Sequence, residues 1–183
     1  MSKFHSRLIL VLQLLGTLAI IVYVPNSIAQ VVLLLLLWLI TFYPLTRLEI
    51  VIFIITCIFF TIADILVIYR NVFEFSHVDI WGMPLYEPFV WGFYFLHSMR
   101  MIGDTSSYGN LKKDFYYTGY LILIGILVEI TGTYFGVWHY NIENYVAWWI
   151  ITWGAAGLML HRVIIPLGMR IAGILNPHIP SGR

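Results

Sequence analysis

The chain has 183 residues, of which 61% are hydrophobic and 10% charged, and its formal net charge is +1. A soluble domain carries about a quarter charged residues, so the composition excludes one, and without a basic run it offers nucleic acid nothing to bind. The single cysteine, Cys57, lies in an apolar run, which excludes a disulfide framework and a paired-cysteine metal site.

Several apolar runs approach the roughly 20 residues that cross a bilayer. They predict an all-α, polytopic membrane bundle in one domain over 1–183, with spans at about 8–24, 29–45, 48–69, 86–103, 115–135 and 145–168. Lys3 and Arg7 precede the first run, and Ser27-Ile28-Ala29 resembles a cleavage site. That run is longer than the roughly 7–15 residues of a signal peptide, and another span follows at once. A retained first helix is therefore expected, with Pro25-Asn26-Ser27 as the turn. Further turns fall at Pro44 with Arg47, at 70–86, from Gly103 to Lys113, at 136–144 and at Asn176-Pro177. With the N-terminus inside, the inner side holds Lys3, Arg7, Arg47, Arg100, Lys112, Lys113, Arg162, Arg170 and Arg183, and the outer side only Arg70. This asymmetry predicts cytoplasmic termini. The outer half instead collects Asp64, Glu74, Asp79, Glu87, Glu129 and Glu143, so function is expected there.

Trp81-Gly82-Met83-Pro84-Leu85-Tyr86-Glu87-Pro88 connects the third and fourth spans. Its two prolines and glycine make a rigid, non-helical lead-in, and Pro88 is tolerated in a first helical turn. Glu87 then sits at a helix mouth, either as a solvated acid or as a carboxyl held over a pocket. An internal repeat follows. Asp64 to Phe75 lies over Glu129 to Tyr140, with acid, Ile, Tyr and Val matching in place. Trp91-Gly92 and Arg100 lie over Trp153-Gly154 and Arg162 at the same internal spacing. The hairpins at about 48–103 and 115–168 thus read as parallel tandem copies, although apolar helices share a small alphabet.

Ionisable groups within a span are costly and face the bundle interior. Cys57, Thr61 and Asp64 share one helical face, as do Glu87, Trp91, Tyr94 and Ser98. Gly125, Glu129, Gly132 with Thr133, and Gly136 form a third face, and Gly154, Gly157 and His161 a fourth. Small residues on such faces let helices approach closely. Asp64 and Glu129 lie roughly 8–9 Å below their helix ends, too deep for easy solvation. Glu74, Asp79 and Glu143 read as solvated loop groups. His139 reads either as an interfacial loop residue or as part of a pocket, and Trp138, Tyr140, Trp148 and Trp149 also fit an aromatic belt.

Buried carboxyls among aromatic rings suit one chemistry. Desolvation keeps a carboxyl protonated and able to donate, while a second carboxylate holds positive charge. Aromatic faces stabilise cations. These groups can protonate an isoprenoid double bond and steer the cation to ring closure or water addition. The sequence has no aspartate-rich diphosphate motif, and no GxSxG, HExxH or paired-histidine metal signature. The expected catalytic residues are Asp64, Glu87 and Glu129, with Glu87 and Glu129 as acid and cation-stabilising pair. Trp91, Tyr94, Tyr134, Trp138, His139, Tyr140 and Trp153 are the expected substrate-binding residues, with no metal and no cofactor.

Asp64, Pro84-Leu85-Tyr86-Glu87, Glu129 and Gly136-Val137-Trp138-His139-Tyr140 resemble the small membrane carotenoid enzymes. These are the heterodimer-type lycopene cyclases and, more loosely, the carotenoid hydratases of the bacterioruberin pathway. The cyclase family repeats an acid-bearing span, a Gly-x-Trp-x-Tyr segment and a Pro-Leu-Glu-Glu turn. Here the first copy keeps the acid and a Pro-Leu-x-Glu turn, with Tyr86 for the first glutamate and Asn71-Val72-Phe73-Glu74-Phe75 for the aromatic segment. The second keeps the acid and Gly-x-Trp-x-Tyr but has Asn144-Tyr145-Val146-Ala147 for the turn. The likeness spans about 47–168 and bears on fold more than on substrate. It implies an isoprenoid cyclase or hydratase that draws a hydrophobic substrate from the bilayer, and leaves a homo- or hetero-oligomer open. Two rival readings are a small proton-coupled transporter and a non-enzymatic assembly subunit.

Overall fold

The computed structural model describes residues 3–103 and 110–173. The expected tail turn at Asn176-Pro177, Arg183, and most of the turn before Lys113 lie outside them. The described chain is mostly helical. It runs α1 (Lys3–Tyr23), α2 (Ser27–Phe42), α3 (Arg47–Tyr69), β1 (Phe73–Phe75), α4 (Glu87–Ile102), α5 (Leu111–Tyr134), β2 (Trp138–Tyr140) and α6 (Tyr145–Ile171). Leu160–Ile164 form a π-helical turn within α6. Four helices, α1, α3, α5 and α6, are long and apolar enough to cross a membrane. This makes the chain a membrane protein. α2 and α4 have 16 residues each.

Local sequence sets the helix ends. Asn26 caps α2 by accepting from the Ala29 N–H at 2.9 Å. Thr46 and Glu49 form a reciprocal capping box on α3. Pro88 sits in the first turn of α4, where its missing N–H costs nothing.

Buried polar groups fix how the helices dock. Glu49 accepts from Arg100 Nε at 2.6 Å, and Arg100 Nη2 also donates to the Phe42 carbonyl at 2.6 Å, binding the α2–α3 connection to α4. Asp114 on α5 accepts from Arg162 Nε at 2.8 Å and pairs with His161 Nδ1 at 2.6 Å. These two adjacent α6 residues both reach Asp114 from the widened π turn. Gly157 lets α6 approach the α5 backbone: a Cβ there would stand 2.6 Å from the Tyr117 carbonyl oxygen.

A second network joins α1 and α2 to this core. Gln13 Oε1 meets His97 Nδ1 at 2.9 Å, and His97 Nε2 meets the Tyr120 hydroxyl at 2.8 Å. Gln13 Nε2 and Trp38 Nε1 both donate to Thr17 Oγ1. A neutral histidine donating to glutamine and accepting from tyrosine satisfies every partner, so this is a latch.

The segments after α3 and α5, expected as plain loops, pair as an antiparallel ribbon in the register Phe73↔Tyr140, Glu74↔His139, Phe75↔Trp138. Two backbone bonds of 2.9 Å extend it, Ser76 N–H to the Val137 carbonyl and Asn141 N–H to the Val72 carbonyl. The connection from the ribbon to α4 is pinned by Asp79, which accepts from the Leu85 N–H at 2.9 Å and from Ser27 at 3.1 Å. These bonds, led by the Leu85 N–H and joined by His77, hold the Asp79 carboxyl below the usual aspartate range.

Candidate functional site

Under the ribbon lies a cavity of about 230 Å³. Asp64, Glu87, Trp91, Tyr94, Glu129, Trp138, Tyr140 and Trp153 all line it, so eight of the ten sequence-derived candidates meet at one place. The three carboxyls come from three helices: Asp64 near the end of α3, Glu87 at the start of α4 and Glu129 near the end of α5.

Glu129 is the most fully engaged. Its Oε2 accepts from Trp138 Nε1 at 3.0 Å and from the Tyr140 hydroxyl at 2.9 Å, and its Oε1 accepts from Trp153 Nε1 at 3.0 Å. Glycines make this possible. A Cβ on Gly132 would stand 2.0 Å from Trp138 Cζ2, and one on Gly125 would stand 2.1 Å from Trp153 Cγ. The two glycines flank Glu129 on its own helical face and leave slots for the indoles. The sequence suggested helix approach at these positions, but it is ring admission that needs them.

Asp64 accepts from Trp91 Nε1 at 2.5 Å. The Trp91 indole stacks on Phe60 at 4.6 Å and lies 4.9 Å from the Trp153 ring. Glu87 is half-buried in the cavity wall and lies within electrostatic reach of Asp64 and Glu129. No side-chain donor among the described residues bonds to it. The Tyr94 side chain, at 5% exposure, also lines the cavity, and its hydroxyl is buried without a hydrogen-bond partner among the described residues. Burying an unsatisfied hydroxyl costs about 1–3 kcal/mol, which marks that point as a place for a ligand or water.

Two candidates fall outside. Tyr134 is 81% exposed, because five residues beyond Glu129 turns its side chain to another helical face. His139 is exposed on the far side of the ribbon, where Ser76 Oγ lies 3.1 Å from its Nε2. Strand alternation sends Trp138 and Tyr140 inward and His139 outward. Conversely, Phe75, Phe60, Trp148 and Thr152 line the cavity and were not assigned to it from sequence. The aromatic–polar–aromatic alternation of Phe73-Glu74-Phe75 and Trp138-His139-Tyr140 is the signal that would have found the ribbon.

A second cluster at the surface resembles a hydrolase triad in composition only. His77 Nε2 meets both Ser27 Oγ at 2.8 Å and Asp79 Oδ1 at 3.1 Å. One ring nitrogen serves both partners, so the ring cannot pass a proton between them in the manner of a triad. Among the described residues, no group of three His, Cys, Asp or Glu side chains is arranged to hold a metal ion.

No protein-family model matches the chain, and no curated protein or solved structure matches it either.

The slots around Glu129 generate an expectation. Gly125→Ala and Gly132→Ala each force an indole off its carboxylate, at a cost of about 1–3 kcal/mol for overpacking. Thermal unfolding in detergent and near-ultraviolet circular dichroism should register both. Gly119→Ala, which meets nothing within 4 Å, serves as the comparison and should leave both readouts unchanged.

Proposed function

We propose that this chain is a membrane-embedded isoprenoid cyclase or hydratase that starts its reaction by protonating a carbon–carbon double bond. The observation that carries this reading is one apolar, aromatic-walled cavity holding three carboxyls and no Lys, Arg or His among its lining residues. Such a site favours a transient cation and disfavours an anion.

The roles follow from the hydrogen bonds. Glu87 receives no side-chain donor among the described residues, so its carboxyl is the proton source. Its proton adds to the alkene and leaves a cation at the more substituted carbon. A second double bond closes a ring on that cation, or a water oxygen bonds to it. Loss of a proton to a carboxylate then gives the cyclic alkene or the alcohol and restores the acid. Glu129 receives three donors, which suits an anion held rigidly beside the cation. Asp64, held by Trp91, is the third carboxylate and an alternative proton acceptor. The faces of Trp91 and Trp153 add cation–π stabilisation of about 0.5–2 kcal/mol. The resemblance to the small membrane carotenoid enzymes agrees with this chemistry. The same electrostatics suit a lipophilic organic cation, so proton-coupled export of such a cation is the second reading.

The topology we propose is six spans with both termini cytoplasmic and the ribbon outside. α2 and α4, at about 24 Å each, fall short of the roughly 30 Å hydrocarbon core. Short connections on both sides of α2 turn it back along its neighbours. Above α4 the remaining depth is taken by the ribbon and the 76–86 segment, and non-helical backbone is tolerated there when buried in protein. Labelling from each side, in a Cys57→Ala background, tests the orientation. Glu143→Cys should react only from outside and Lys112→Cys only from the cytoplasm; the reverse pattern would invert the protein.

We also read the α3–α4 and α5–α6 hairpins as parallel copies related by a two-fold axis along the membrane normal. Matching contacts support this. Trp91 donates to Asp64 as Trp153 does to Glu129, and Arg100 pairs with Glu49 as Arg162 does with Asp114. The ribbon pairs Glu74 with His139, the residues that the repeat alignment makes equivalent.

The chemical test compares products in lipid extracts made with and without the expressed protein. Glu87→Gln and Glu129→Gln keep size while deleting the acidic proton or the charge. Each should lower product per folded protein by about 10²–10⁴. Trp91→Leu and Trp153→Leu should shift product distribution more than rate. Acid variants within a few-fold of wild type would end the proton-initiated reading, and proton-driven uptake of a lipophilic cation without any new product would favour the exporter.

A further inference from the structure

We infer that the cavity opens sideways into the bilayer between α3 and the N-terminal half of α6, and that a linear, uncharged isoprenoid chain lies in this slot with only its end inside. The inference rests on the reading of the cavity as an isoprenoid site and adds how the substrate reaches it and what sets its width.

Ala63 and Val67 of α3 line one side of the cavity, and Trp148, Thr152, Ala155 and Met159 line the other. The four α6 residues form a single stripe along that helix. Ala155 both lines the cavity and is exposed, so the cavity meets the outside there. α3 and α6 do pack together at their cytoplasmic ends, where a Cβ on Gly168 would stand 2.7 Å from Ile52 Cγ1. Toward Tyr145 they part, because the Trp91 indole is wedged between Phe60 of α3 and Trp153 of α6.

The opposite seam is closed. There α1 crosses α4 and α5, its Ile21 side chain forms part of the cavity wall, and its Gln13 is bonded through His97 to Tyr120. α2 lies on the same side, with Trp38 stacked on Phe93 of α4 at 3.8 Å. None of the described helices covers the α3–α6 seam. Its rim is apolar, with Ile62 and Leu66 exposed on α3 and Ile151 and Leu158 exposed on α6. An apolar rim inside a membrane faces lipid tails.

The occupant follows from charge and size. Three carboxyls and no cation repel a phosphate, diphosphate or carboxylate head. At about 30 Å³ per water-sized group, a cavity of about 230 Å³ takes roughly eight heavy atoms, between one and two five-carbon units. A longer chain must project through the mouth, and the only side open to lipid among the described residues is between α3 and α6. Ala63 and Ala155, the small residues facing that mouth, then determine which chain passes.

Photolabelling tests this without requiring turnover. Two neutral isoprenoid hydrocarbons, of two and of six isoprene units, carry a mid-chain diazirine and are presented in phosphatidylcholine nanodiscs. In wild type the long probe should label 63–67 and 148–159 saturably, in competition with its unlabelled form. Ala155→Trp, or Ala63→Phe where that variant folds poorly, should cut long-probe labelling about tenfold, the equivalent of 1.4 kcal/mol, and spare the short probe. Leu158→Trp, on the lipid-facing side of α6, should change neither. Three results would overturn the inference: labelling that maps to α1 and α2, long-probe labelling unchanged in both plugged variants, or spontaneous cross-linking of Ala155→Cys copies that puts a second chain over the seam. Saturable slot labelling with no product would leave the portal standing and remove the chemistry. Product without slot labelling would do the reverse.

Discussion

Glu129 stands on α5 where the β-ribbon and α6 meet it, and it accepts three hydrogen bonds from those two elements: Trp138 and Tyr140 in the ribbon and Trp153 in α6. A carboxylate within a membrane helix is costly to leave unpaired. Three donors fixed on two different elements offset that cost and define where those elements sit. Gly125 and Gly132 complete the arrangement by leaving room for the rings. The ribbon is thereby held down over the cavity, and Trp153 is turned so that its face meets Trp91. Trp91 in turn satisfies Asp64. The acids, the rings and the roof of the cavity are thus one connected set of contacts.

The half of the bundle away from the ribbon is built on different pairs. Glu49 with Arg100 and Asp114 with Arg162 clamp each hairpin far from the cavity. Guanidinium–carboxylate pairs of this kind are charge-assisted and directional. They leave the half beneath the ribbon to carry its acids with no Lys, Arg or His among the cavity-lining residues. Charge is therefore segregated along the bundle: balanced at the ends far from the ribbon and uncompensated at the cavity. On the proposed reading, that segregation is what suits the cavity to a cation. The α1–α2 pair is latched to one side, through Gln13, His97 and Tyr120, and no described helix covers the other side of the bundle.

Much of the site was legible because intramembrane acids are so constrained. Asp64, Glu87 and Glu129 could be placed by helical periodicity alone, and the tryptophans at the same spacing came with them. What periodicity could not supply was the path of the backbone between helices. His139 sat in a motif shared with Trp138 and Tyr140, and only the ribbon pairing reveals that its side chain faces away. Tyr134 was expected to bind substrate, while its angular position on α5 sends it outward. The polar latch was missed because Gln13, His97 and Tyr120 lie far apart in sequence and carry no shared spacing. Helix ends at Pro25 and Pro88 were placed to within a residue, since proline acts locally, but the second span was drawn through Pro44 to 45 whereas α2 stops at Phe42. The π turn near His161 has no local signal of that kind.

The central claim is that a carboxyl proton of this protein becomes part of the product. Because that proton is replenished from solvent, running the reaction in deuterium oxide tests it directly. Membranes containing the expressed protein should yield a cyclised or hydrated isoprenoid that carries one solvent deuterium on carbon for each ring closed or water added. A new isoprenoid product without carbon-bound deuterium would contradict proton initiation, and with it the role given to the acids around Glu129.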